Sequence, residues 1–210
     1  MCKVAIIELH YLPSIPYVAA WAYFDEVIIE SKESYTKQSF RNRCQIRTAN
    51  KIDDLIVPIQ KGNSNVPVQE IRIDQNQTWI KNHWRAIQSA YGNAPFFEHY
   101  KQDIEKILNN KPRFLFDLNL QFLELILKMI GLNKKIIFSQ KYEKKYPSVI
   151  QDLRSKIHPK QLNDVLDFYN PQEYTQVFGN QFVKDLSVID LIFCEGPNAI
   201  NILKRSIGHF

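Results

Sequence analysis

The sequence predicts an α/β protein: a mixed sheet in the N-terminal part, with a mainly helical middle and C-terminal part. Two observations carry that expectation. Short apolar runs rich in β-branched residues recur within the first 75 residues and read as strands. From residue 76 onward the apolar residues fall at helical spacing instead. The chain has 210 residues, 45% of them hydrophobic and 23% charged, which suits one domain able to bury its own core. We take residues 1–210 as a single domain, with 1–75 mostly sheet-forming and 76–210 mostly helical.

Residues 4–9 form a buried strand, followed by a loop stiffened by Pro13 and Pro16. Residues 17–24 are alanine- and aromatic-rich and read as a helix. Residues 27–29 form a second buried strand, ending at Glu30. After a polar stretch, residues 40–46 alternate apolar and polar, as an antiparallel strand does. Residues 55–59 and 71–73 are two further short strands. Ile80, Trp84, Ile87 and Tyr91 share one helical face, and Gly92 stops that helix. Phe97, Tyr100, Ile104 and Ile107 mark the next helix, which Pro112 breaks. Residues 115–130 are apolar almost all round and predict a central buried helix, with Asp117 as N-cap and Gly131 at its C-terminal end. Residues 136–138 are a short strand. The polar segment 141–170 reads as a long loop or lid. Residues 187–194 are a helix that Ser187 and Asp190 open as a capping box and Gly196-Pro197 closes. Residues 199–204 form a last short helix.

Composition narrows the function classes. Lysine and arginine exceed aspartate and glutamate by 27 to 22, a formal charge of +5. The charges are scattered, and Tyr142 and Glu143 interrupt the longest basic cluster, so no nucleic-acid footprint is expected. Three cysteines without CxxC spacing argue against a disulfide scaffold or a cysteine zinc site and for a reducing, cytoplasmic setting. The apolar N-terminal stretch is too short for a signal-peptide core, and no run approaches a membrane span. Phosphate-loop, dinucleotide, zinc-protease and serine-hydrolase signatures are absent from the sequence. The residues name no cofactor. No histidine–acid pair has diagnostic ligand spacing, so no metal site is expected.

Three constellations remain. Arg41 and Arg43, two apart on a strand, would project to one face roughly 6 to 7 Å apart. Two guanidinium forks at that spacing suit a phosphate or carboxylate, with Lys37 and Tyr35 just upstream. The alternative is a pair of exposed arginines on an edge strand. The loop 10–17 follows a strand and precedes a helix, where α/β sheets bind ligands, and it offers His10 and Tyr11. His83 borders the packed face of its helix, where a histidine is either a half-buried core residue or a catalyst. Glu98, His99 and His158 share that ambiguity.

The series as a whole resembles a known family. It runs through Tyr11-Leu12-Pro13, Phe40-Arg41-Asn42-Arg43, Val57-Pro58-Ile59, His83-Trp84, Ala94-Pro95-Phe96-Phe97-Glu98, Gln176-Val177-Phe178 and Leu186-Ser187 to Glu195-Gly196-Pro197. This is similar to the WbqC-like protein family of bacteria. Many of its members carry His-Gln-Pro ahead of Tyr-Leu-Pro, where this chain has Glu8-Leu9-His10. The resemblance implies a cytoplasmic role in surface-polysaccharide biosynthesis, notably of O-antigens. It implies a transferase acting on an activated sugar or glycan intermediate. On that reading Arg41, Arg43 and Lys37 hold an anionic, sugar-nucleotide-like ligand and Asn42 orients it. Tyr11 and Tyr17 line the pocket, Trp84 stacks on a ring, and His83 is the general base. A non-catalytic protein that binds an anionic glycan precursor or a partner enzyme is the alternative. Partner expectations are an anionic small molecule, no nucleic acid, no membrane span, and room for a homo-oligomer.

Overall fold

The structure is a computed structural model that describes residues 2–60, 65–160 and 166–208. Its centre is a four-stranded sheet, all parallel, in the order β5-β2-β1-β6. The strands are β1 (Val4–Ile7), β2 (Glu26–Ile29), β5 (Ile137–Phe138) and β6 (Ile150–Asp152). Helix α1 (Ile15–Tyr23) links β1 to β2. It starts earlier than its alanine run suggests because Pro16 sits comfortably in the first turn, where its missing N–H costs nothing. An antiparallel pair, β3 (Arg43–Arg47) with β4 (Ile52–Ile56), makes the sheet content mixed as expected.

Helices α2 (Trp79–Tyr91), α3 (Phe97–Asn109) and α4 (Leu115–Ile130) follow the periodicity. Gly131 ends α4 in the left-handed conformation at φ 76°. Helices α5 (Val188–Glu195) and α6 (Ala199–Ser206) close the chain, and α6 packs on α1. Ser14 forms an antiparallel bridge with Ser187, so the loop after β1 and the entrance to α5 lie side by side.

Several local expectations change. The strand expected over 40–46 begins only at Arg43, because Phe40 and Asn42 turn their carbonyls to the N–H groups of Tyr11 and Val57. The strand expected over 55–59 is centred earlier, on Ile52–Ile56. Residues 71–73 make only isolated bridges, Ile59 to Ile73 and Arg72 to Phe114. Phe114, not Asp117, occupies the cap position of α4, and Asp117 lies in its first turn. Ser187 precedes α5 without capping it: its hydroxyl donates to the Leu12 carbonyl at 2.8 Å, and Asp190 is drawn to Tyr174. The segment expected as a lid contributes β6 to the sheet; its residues 161–165 lie outside the described ones.

Candidate functional site

All four parallel strands point the same way, so the residues just after them gather along one edge of the sheet. In open parallel sheets this carboxyl edge is where ligands bind. The chain crosses over from β5 to β6, on the far side of β1, so β1 and β6 flank the place where the strand order reverses. Glu8 and His10 follow β1, Glu30 to Glu33 follow β2, and Arg154 and Ser155 follow β6.

Glu8, His10 and Glu33 form a buried charged cluster with Arg41, from the turn before β3. Arg41 is 1% exposed, yet it carries a full charge. Its Nε and Nη2 donate to the two oxygens of Glu33, both at 2.7 Å. Its Nη1 meets Glu8 Oε1 at 3.3 Å. The Ser155 N–H reaches both Glu8 oxygens, at 3.1 and 2.9 Å. Ser155 holds φ at 55°, a left-handed conformation uncommon for serine, and so presents that N–H. The His10 Nε2 also meets Glu8 Oε1 at 3.3 Å, and its ring packs on Tyr17 with centroids 4.5 Å apart. Asn119 of α4 donates to the Arg41 carbonyl at 2.7 Å and anchors the turn.

The two carboxylates around Arg41 are driven apart electrostatically. Burial raises the Glu8 carboxyl, but Arg41, His10 and the Ser155 N–H outweigh it and bring its pKa down to about 2. Burial pushes Glu33 above its usual value, Arg41 opposes it, and the neighbouring Glu8 charge adds to the rise. Glu8 is thus a permanent anion. Glu33 is the carboxyl of the pair that is held above its usual value.

Beside this cluster lies an open cleft of about 500 Å³, lined by Lys32, Glu33, Ser34, Thr36, Tyr142, Asp152, Arg154 and Ser155. Glu33 and Ser155 therefore belong both to the buried cluster and to the cleft. Arg154 is set by Asp152, at 2.9 and 2.6 Å, and by the fully buried Glu30 at 3.1 Å. Its guanidinium also lies against the rings of Tyr142 and Tyr146, 5.1 and 4.9 Å from their centroids. Lys32, Ser34 and Thr36 line the same cleft and are exposed. The cleft therefore offers two cations, hydroxyls, two carboxyls and an aromatic ring within one opening.

The sequence-predicted residues distribute differently from the expectation. Arg41 and Arg43 do not share a strand face, since Arg41 lies in the turn before β3. Arg41 has its fork filled by Glu33, while Arg43 pairs with Asp54 at 3.5 Å. No two-arginine anion clamp is assembled. Asn42 donates its amide to the Val57 carbonyl at 2.9 Å and clamps backbone. Lys37 is exposed on the turn that precedes Arg41 and Asn42. Tyr17 packs beneath His10 and is buried. Tyr11 and His83 pair with each other: the His83 Nε2 faces the Ile56 carbonyl at 3.2 Å, so Nδ1 is the acceptor for the Tyr11 hydroxyl at 2.9 Å. Burial brings the His83 pKa down to about 4 against the pull of that carbonyl. Both ring nitrogens are occupied, which makes His83 a structural link rather than a proton carrier. Trp84 lines a separate groove with Ile80, Thr78 and Asn109. Cys2, Cys44 and Cys194 are free thiols. Among the described residues no group of three or more histidine, cysteine or acidic side chains is placed to hold a metal ion.

The residues missed were Glu8, Glu33, Lys32, Arg154, Ser155 and Tyr142. One signal pointed to the first of them: an acid at the end of an apolar β-branched run sits at a strand's carboxyl edge.

Fold and site define a class: an α/β protein with a charged cleft at the carboxyl edge of a short parallel sheet. The chain belongs to the WbqC-like protein family, whose profile matches residues 9–163 and 162–202. It is 28% identical over 229 residues to Rv1507c, an uncharacterised protein of Mycobacterium tuberculosis, across 97% of this chain and 98% of that protein. No solved structure matches the chain.

Proposed function

We propose that the protein is a transferase of bacterial surface-polysaccharide formation, of the O-antigen kind, acting on an activated sugar or glycan intermediate held in the cleft. The observation that carries the reading is the placement of Glu8 and Glu33 on either side of one buried arginine, with Glu33 alone of the pair lining the cleft. Paired carboxyls whose environments separate their pKa values are an acid–base device. Glu33 takes the proton from an attacking hydroxyl or amine. Arg41 is a positioning residue, fixed by Glu8, that aims the Glu33 oxygens. Lys32 faces the anionic part of the ligand, Arg154 is held in the cleft wall by Asp152 and Glu30, and Tyr142 stacks on a ring.

The test is turnover. Purified protein is incubated with a panel of nucleotide-activated sugars and acyl or aminoacyl donors, and products are read by mass spectrometry. Glu33→Gln should lower kcat by roughly 10²- to 10⁴-fold, the usual contribution of general acid–base catalysis, with little change in ligand affinity. Tight binding without product across the panel would instead establish a non-catalytic glycan-binding protein. An unchanged rate in Glu33→Gln would remove Glu33 from the chemistry.

A further inference from the structure

The charges are spread along the chain, but most of their positive excess is matched by one segment. Residues 134–149 carry five lysines and one glutamate, a net +4 out of the +5 of the whole protein. In the fold this segment contains the edge strand β5 and the irregular stretch leading to β6. Three of the five large hydrophobic side chains exposed among the described residues belong to it: Phe138 at 36%, Tyr142 at 52% and Val149 at 68%. Phe138 also lines an open groove of about 560 Å³ whose apolar part includes Ile28, Ile137, Tyr146 and Pro147 and whose rim carries Lys141 and Lys145. Lysines on an edge strand are a common device against unwanted strand pairing. That device does not account for exposed phenylalanine, tyrosine and valine beside them.

Cationic side chains around exposed aromatic and aliphatic groups match an anionic bilayer surface. The lysines meet lipid phosphates, and the apolar side chains enter the headgroup boundary. Lys141 is partly spent on Glu143, at 2.6 Å, and Lys134 on the Phe24 carbonyl at 2.8 Å. Lys135, Lys144 and Lys145 are exposed on this segment. A polynucleotide is the weaker fit, because it offers nothing to Val149 or to the apolar groove.

We infer that residues 134–149 form a docking surface for anionic membrane, which seats the protein peripherally. Tyr142 belongs to this surface and to the wall of the charged cleft, so docking brings the mouth of the cleft to the bilayer. The inference stands without the transferase reading, because its test measures partitioning and not turnover.

Sedimentation of the full chain with vesicles of equimolar phosphatidylglycerol and phosphatidylcholine tests it. Binding is expected to these vesicles and not to phosphatidylcholine alone. It should be lost near about 1 M salt, where the screening length is roughly 3 Å. Each lysine near an anionic surface contributes roughly a 5-fold change in partitioning. Lys144→Gln with Lys145→Gln should therefore weaken binding about 30-fold at an unchanged Tm, and Val149→Ser should weaken it further. Four outcomes would overturn the inference: no sedimentation at low salt, equal binding to neutral vesicles, no effect of the lysine pair, or tight binding of a single-stranded oligonucleotide with no vesicle binding.

Discussion

Arg41 shows how one residue's role depends on partners far along the chain. An arginine in a Phe-Arg-Asn-Arg run reads locally as an anion ligand, and its type and importance are visible there. Its role is not, because Glu8 and Glu33 lie 33 and 8 positions away and nothing in the run announces them. Removing one partner of a buried ion pair strands the other, whereas an exposed pair contributes little. Glu8 is the clearer of the two carboxylates to test. Its folded pKa, about 2, lies below its ordinary 4.5. The stabilisation from this depression is complete above about pH 4.5 and disappears as pH falls through about 2. A shift of that size corresponds to about 3 kcal/mol. Glu8→Gln should therefore lower stability at neutral pH and flatten the acid-unfolding curve between about pH 4.5 and 2, read by urea titration at a series of pH values. The same variant removes the Glu8 charge that raises Glu33. The acid limb of the pH–rate profile should then move to lower pH. An unmoved limb would mean that Glu33 does not set it.

At the scale of elements, the long helices and the apolar strands β1, β2 and β5 were legible, and β6 was not. Helices α2, α3 and α4 each bury one face against the core, so their apolar spacing is imposed by packing over several turns. β6 has three residues, Ile-Gln-Asp, and is too short and too polar to show a pattern. Its neighbour β1 supplies the pairing that holds it, and that partner is invisible locally. The entrance to α5 illustrates the same limit: a capping-box pattern is present, but tertiary bonds to Leu12 and Tyr174 take its side chains. Its exit is more demanding than a glycine-proline stop suggests. Gly196 sits at φ 51° and ψ −123°, and a Cβ there would lie 2.4 Å from the Phe96 ring. Gly131 also has positive φ, but open space surrounds its Cβ position. Gly196→Ala should cost about 3 kcal/mol or more through strain and overpacking, and Gly131→Ala about 1 kcal/mol. At about 2–4 °C per kcal/mol for a chain of this size, calorimetry should separate the two Tm values clearly. Equal shifts would show that the Phe96 contact relaxes without cost.

At the scale of the whole molecule, the two ends of the chain complete each other. Helix α1 is buried along almost its entire length, and the residues that cover it include α5 and α6 from the far end. The tie continues through the backbone: the Ile15 N–H donates to the Leu186 carbonyl at 2.9 Å, Val188 N–H to Pro13 at 2.8 Å, and Ser187 N–H to Gln45 at 2.8 Å. The loop that positions Glu8 and His10 is therefore braced by residues nearly 180 positions later. A helix that is apolar all round is stable only inside a protein, so the first third of the chain cannot bury α1 alone. We expect residues 1–210 to unfold as one cooperative unit, with far-UV and near-UV circular dichroism transitions coinciding. Truncation after Asp185 should leave a chain without near-UV signal or a cooperative transition, not a folded N-terminal domain. A fragment that retained both would establish two independent units and would free the carboxyl-edge cleft from any dependence on α5 and α6. Site and fold therefore share the same segments: the loop carrying Glu8 and His10 near the front of the sequence is held in place by its end.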